Sequence, residues 1–375
     1  MKYWRGYLVA GIFLLISWGL AEFAKAHWEL VDMVYPYVTR LIQNYLTNWS
    51  SSVPFCLWQL FLLVAAVLVL ASVVMMVIWK WNPIQWFGWV VAAASVVLFL
   101  NTAVYGLNNY AGTIAQDVRL DVTDYTLSEL EEAGLFYQEK ANELSEQVSR
   151  SADGSVFYPS FQELAEQAAE GFENQTYQRF NSVFAGSTVP VKELGWAGLF
   201  SSRGITGVTF GLTGEAAVNP QTPTVAMPYV ICREMAKRMC IANDQDASFA
   251  AFMACDANTA AEFQYAAYFM AYRECYETIA AMETAAARTS ATKLVQKESS
   301  QLRKDLAQYN ASFAANPQDT FMKEEDTGAK RSSVADMLVS WHIQEYILPA
   351  MEEEKVLFDP MDESQVDLTG LPNVG

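Results

Sequence analysis

The 26 residues from Pro54 to Trp79 contain no charged side chain, and no other stretch constrains the chain as strongly. Backbone N–H and C=O groups placed in hydrocarbon must be satisfied within the segment, so a run this long and apolar predicts a membrane-crossing helix. Gly6 to Ala21 is a second apolar run, behind Lys2 and Arg5. It is either a signal peptide or a first membrane helix, and the lack of a small-residue cleavage site, with Glu22-Phe23-Ala24-Lys25 following, favours an uncleaved span. After Lys80-Trp81-Asn82-Pro83, Ile84 to Leu107 supplies a third. Trp4, Trp79, Trp81, Trp86 and Trp89 fall at the ends of these runs, where amphipathic rings favour the interface. The expected membrane region is residues 1–107, with spans at about 6–26, 54–79 and 84–107.

Charge separates this region from the rest. Residues 1–107 hold five basic and three acidic side chains, which leaves 19 basic against 39 acidic beyond them, a formal charge of −20. Such acidity excludes a nucleic-acid partner and flat adsorption on anionic lipid, both of which require clustered Lys and Arg. It fits a solvated domain over residues 108–375. Lys2, Arg5 and Lys80 share one side of a three-span arrangement, and positive charge stays inside, so the acidic domain is expected to be extracytoplasmic. Between the first two spans, Leu30, Val34, Tyr37, Val38, Leu41 and Tyr45 recur at helical spacing; this helix either lies along the membrane surface or packs on the domain.

The outer domain reads as mainly α. Thr126 to Glu129, Ser160 to Glu163 and Thr259 to Glu262 have capping-box spacing and open long helices. The glycine-rich stretch GITGVTFGLTGEAAVN is one or two short strands or an irregular loop. Residues 317–333 are polar and expected to be mobile, Val334 to Met351 reads as a last amphipathic helix, and an acidic tail follows. Cys232 and Cys240 stand eight apart, about 12 Å along one helix, and cannot bridge each other; the five cysteines read as buried free thiols.

Within PYVICREMAKRMCIANDQDASFAAFMAC, from Pro228 to Cys255, the segment Arg233-Glu234-Met235-Ala236-Lys237 has the layout of H-E-x-x-H, in which two histidines on one helix face bind zinc and the glutamate is general base. Only Glu234 is kept. Guanidinium and ammonium groups have no lone pair for a cation, so Arg233 and Lys237 cannot replace imidazole. The two histidines of the chain, His27 and His342, lie far away in sequence.

Together with VPVKELGWAGLFSSRGITGVTFGLTGEAAVN and EFQYAAYFMAYRECYETI, this segment resembles the domain-of-unknown-function family 3810, bacterial membrane-anchored zincin-like proteins. The resemblance is close over Val189 to Ile279. It implies N-terminal spans, a zincin-like helical outer domain with a short glycine-rich β segment, and zinc. It places the two histidine positions at Arg233 and Lys237, the third ligand at Asp246, and Glu215, Tyr265, Gly211 and Gly214 near the cleft. With these ligand positions changed, zinc is expected to be absent. Arg233 and Lys237 facing Glu234 and Asp246 would then form a neutral cluster, with Asp246 within hydrogen-bonding reach of Arg233. The expected function is that of a membrane-anchored pseudoenzyme, with Glu234 a vestigial base, binding a peptide, an envelope component or a protein partner. An active hydrolase with an unconventional metal or none, and a structural membrane scaffold, are the alternatives.

Overall fold

The computed structural model describes residues 2–178, 180, 183–314 and 331–350. The expected acidic tail lies outside them, as does nearly all of the polar segment at 317–333. Four long helices come first: α1 (Arg5–Ala26), α2 (Trp28–Ser50), α3 (Leu57–Ile78) and α4 (Pro83–Val104). Of these α1, α3 and α4 are long and apolar enough to cross a membrane. The third span stops at Val104, short of Leu107, because Asn108 and Asn109 donate their side-chain amides to Tyr105 O and Gly106 O and turn the chain out of the helix.

α1 and α4 pack along each other. A Cβ on Gly6 would fall 2.4 Å from the carbonyl carbon of Gly88, so the two backbones touch where neither residue has a side chain. Asn82 caps α4 by accepting from the N–H groups of Ile84 and Gln85, and Pro83 occupies its first turn, which fixes a tight entry after α3. α3 stands apart. Only Trp58 and Gln59, at its start, are buried, and Trp86 Nε1 donates to Ser72 Oγ near the connecting loop.

The outer domain continues with α5 (Ile114–Asp117), α6 (Leu127–Ser145) and α7 (Phe161–Gln178). Strand β1 (Lys192–Glu193), helix α8 (Ala197–Ser201) and strands β2 (Gly207–Phe210) and β3 (Glu215–Val218) follow. Helices α9 (Met227–Arg238), α10 (Asp244–Asp256), α11 (Ala261–Ala281), α12 (Ala285–Lys297), α13 (Ser300–Ala314) and α14 (Val334–His342) complete it, the last running into a π-helical turn over Ile343–Ile347. One apolar core runs from Ile114 to Trp341, and a smaller one of Cys56, Trp58, Leu194 and Ala217, with Phe200, Val208 and Phe210 against it, joins α8 and the sheet to the start of α3. The closest approach in the larger core is at Gly171, where a Cβ would meet Ala254 O at 2.0 Å, so α7 lies directly on the backbone of α10. All five cysteines are buried and free.

Thr126 and Glu129 form the expected capping box, and Ser160 Oγ accepts from Glu163 N. Thr259 does not cap. Its hydroxyl donates to Glu170 Oε1, Asn258 Oδ1 accepts from Ala260 N instead, and α11 starts at Ala261. The glycine-rich stretch is a hairpin of β2 and β3, antiparallel with Gly207 opposite Val218 and Phe210 opposite Glu215. β1 pairs with β3 in parallel, so the strand order is β1-β3-β2 and β2 forms an edge. The sheet rests on α9.

Candidate functional site

Glu234 is fully buried, on the face of α9 turned to the edge strand. A Cβ at Gly207 would fall 2.5 Å from Glu234 Cγ, so the strand crosses directly over the carboxylate where only a hydrogen fits. Both carboxylate oxygens are engaged. Oε1 accepts from Arg233 Nε at 3.3 Å and Nη2 at 3.1 Å, with Lys237 Nζ at 3.8 Å, and Oε2 accepts from Thr209 Oγ1 at 2.9 Å. Arg233 Nη2 also donates to Thr206 Oγ1 at 3.0 Å, so the loop entering β2 and the strand itself both bear on this cluster.

Lys237 forms a second ion pair, with Asp244 Oδ1 in the first turn of α10. Burial pushes the Asp244 carboxyl up, but Lys237 and Arg233 outweigh it and hold it below the usual carboxylate range. Arg233 shows the converse. Burial pulls its guanidinium down, and Glu234 and Asp244 raise it above its ordinary value. Two cations and two carboxylates thus make a neutral group in which each charge has an opposite charge beside it, and the fully buried Glu234 has two.

The second carboxylate is not the expected one. Asp246 does not reach Arg233; it pairs with Arg331 and accepts from Ile114 N at 3.3 Å. Positions 244 and 246 differ by about 200° around a helix, so only one of them can face α9. Arg331 donates further to Asn109 O and Ala111 O, so the Asp246 pair ties α10 to the chain leaving the membrane region. Burial pushes Asp246 up to about 6, with Arg331 opposing it.

The other residues named from the sequence have structural partners. Glu215 is buried and accepts from Leu57 N at 2.8 Å, Trp58 N at 3.0 Å and Thr213 Oγ1 at 2.7 Å, so its carboxylate closes the N-terminus of α3. Lys192 Nζ reaches Glu215 Oε1 at 2.6 Å and also donates to Ser50 O, at the end of α2, and to Phe55 O, just before α3. Tyr265 is fully buried and donates to Asp305 Oδ2 at 2.5 Å, beside the Arg150–Asp305 ion pair. Gly211 and Gly214 abut the membrane region: a Cβ on Gly211 would meet Tyr105 Cβ at 2.2 Å, and one on Gly214, whose φ is +64°, would meet Thr47 N at 2.7 Å. Their carbonyls accept from Gln43 Nε2 and Thr47 Oγ1.

The donor set at α9 does not fit a zinc ion. The helix face presents a guanidinium and an ammonium, and both oxygens of the buried Glu234 already accept hydrogen bonds. Among the described residues no three His, Cys, Asp or Glu side chains gather as a metal would need. His27 packs at a tilt against Phe23 at the α1–α2 junction, and His342 against Phe136 in the core.

Sequence reasoning missed Asp244, Thr206, Thr209, Lys192 and Arg331. Asp244 carried a visible signal, since it lies two residues from Asp246 in the same helical turn. The others become legible only through the hairpin and the packing of the domain on α2 and α4.

Three candidate membrane helices, followed by a helical domain with a small open sheet, define a membrane-associated protein with a large polar domain. The chain belongs to the family described as Protein of unknown function (DUF3810), whose profile matches residues 32–329. No curated protein and no solved structure matches it.

Proposed function

We propose that this chain is a membrane-anchored, catalytically inactive metallopeptidase-like protein, and that its domain binds a peptide, an envelope component or a protein partner outside the membrane. The observation that carries the reading is the enclosure of Glu234. A general base needs a carboxylate oxygen that water can approach within about 3 Å, and Glu234 is fully buried under Gly207, with Arg233 and Thr209 hydrogen-bonded to its two oxygens and Lys237 paired with it. Glu234 then serves as the counter-ion of two cations, and zinc has no place in the cluster. An edge strand can still accept a peptide by strand addition, and β2 is the edge beside α9. Lys2, Arg5 and Lys80 support the extracytoplasmic side for the domain. Labelling of Asp153→Cys by an impermeant thiol reagent on intact cells is expected; protection would reverse the orientation.

A structural scaffold is favoured by a separate observation, the Lys192–Glu215 pair that joins the sheet to α2 and α3. The two readings share the loss of catalysis. Full-length protein incubated with a mixed peptide library, with and without added zinc, should yield no fragment that disappears in a folded Glu234→Gln variant. Cleavage abolished by that substitution would establish the active-hydrolase alternative.

A further inference from the structure

The helix between the first two spans is amphipathic in the reverse of the usual sense. Thr39, Gln43, Thr47 and Ser50, on one stripe of α2, are buried, and the first three make hydrogen bonds away from their own helix: Thr39 to Asn108, Gln43 to Gly211 O and Thr47 to Gly214 O. Arg40 donates to Met239 O just beyond α9, and Asp32 accepts from Gly112 N, so these two charges also turn toward the domain. The opposite stripe, with Leu30, Met33, Val34, Tyr37, Leu41 and Tyr45, is open; Leu41 and Tyr45 are 73% and 74% exposed. An apolar stripe this long facing water is unfavourable, and on a soluble helix it would be the face packed inward.

The chain's path says what covers it. A single residue, His27, separates α2 from α1, and its other end is fixed by Lys192 beside the start of α3. Its 23 residues therefore run about 35 Å from the end of one span to the start of the next. α3 meets α4 near their short loop at the other end, so the two spans open toward α2, which bridges the gap. With the domain on its polar face and three spans leading away from the domain, the open stripe looks along the spans. We infer that α2 lies in the plane of the membrane interface, its apolar stripe seated in lipid between the ends of the spans while its polar stripe carries the domain. The bilayer is the partner, by continuity with α1, α3 and α4.

The test uses full-length protein in phosphatidylethanolamine–phosphatidylglycerol vesicles, with Leu41→Cys or Tyr45→Cys carrying the fluorophore NBD; both sites are exposed, and the five native thiols are buried. Phe157→Cys, on the outer domain, is the control. At 41 and 45 the emission should be blue-shifted, strongly quenched by lipid carrying a nitroxide near the headgroup, less by one near the chain end, and hardly by aqueous iodide. At 157 iodide alone should quench. Iodide quenching at 41 and 45 without nitroxide quenching would overturn the inference. So would shielding from both quenchers together with disulfide-linked dimers of the unlabelled Leu41→Cys variant, which would assign the stripe to a second chain.

Discussion

In a Glu215→Ala variant the outer domain should lose about 3–5 kcal/mol of stability, the usual cost of removing one partner from a buried ion pair. The side chain of Glu215 is completely inaccessible and that of Lys192 nearly so. Without the carboxylate, the Lys192 ammonium keeps the carbonyls of Ser50 and Phe55 but loses its counter-charge. The N–H groups of Leu57 and Trp58 lose their acceptor as well, at the end of a helix whose dipole favours a negative charge. Glu215→Gln should cost less, because one amide oxygen still accepts. A Lys192→Met, Glu215→Met pair should recover part of the loss, since it leaves no unpaired charge. Unfolding of each variant in mixed micelles checks the series. A Glu215→Ala protein as stable as the native chain would mean that the clasp between sheet and spans carries no weight.

The second large effect is a gain of function at α9. Arg233→His with Lys237→His and Asp244→Glu should bind zinc, whereas any one of these changes should not. A unit charge about 4 Å from Zn²⁺ repels it by several kcal/mol even at an effective dielectric near 20, so one remaining cation is enough to exclude the ion. The triple variant removes both cations and supplies two imidazoles and a longer carboxylate. Asp244 is the position to change because it is the aspartate that meets Lys237, while Asp246 is held by Arg331 on the other side of α10. Asp246→Glu in place of Asp244→Glu should therefore fail. Calorimetric titration of the folded variants gives the answer directly.

Much of this architecture was legible in the sequence, because long uncharged runs and helical periodicity are local signals. The spans, the helical domain and the Thr126 cap all follow from residues near one another in the chain. The cluster was half legible. Arg233 and Lys237 lie four apart on α9, and an i, i+4 relation together with the neutral charge count foretold a paired group. Which aspartate completes it depends on the rotation of α10 about its axis, which is set by the burial of Phe249 and Phe252 in the core and by the backbone contact at Gly171, more than 60 residues before α9's charges. The partners of Glu215 were illegible for a related reason. Its neighbours Thr213 and Gly214 identify a turn, but the turn docks on α2 and the start of α3, some 160 residues earlier.

The central claim is that two cations stand where this kind of helix would hold a metal, with Glu234 as their counter-ion. Zinc content of the native full-length protein, purified without chelator and re-equilibrated with the ion, tests it most directly. The account predicts no stoichiometric zinc, before or after re-equilibration. One zinc per chain, retained after re-equilibration, would contradict it.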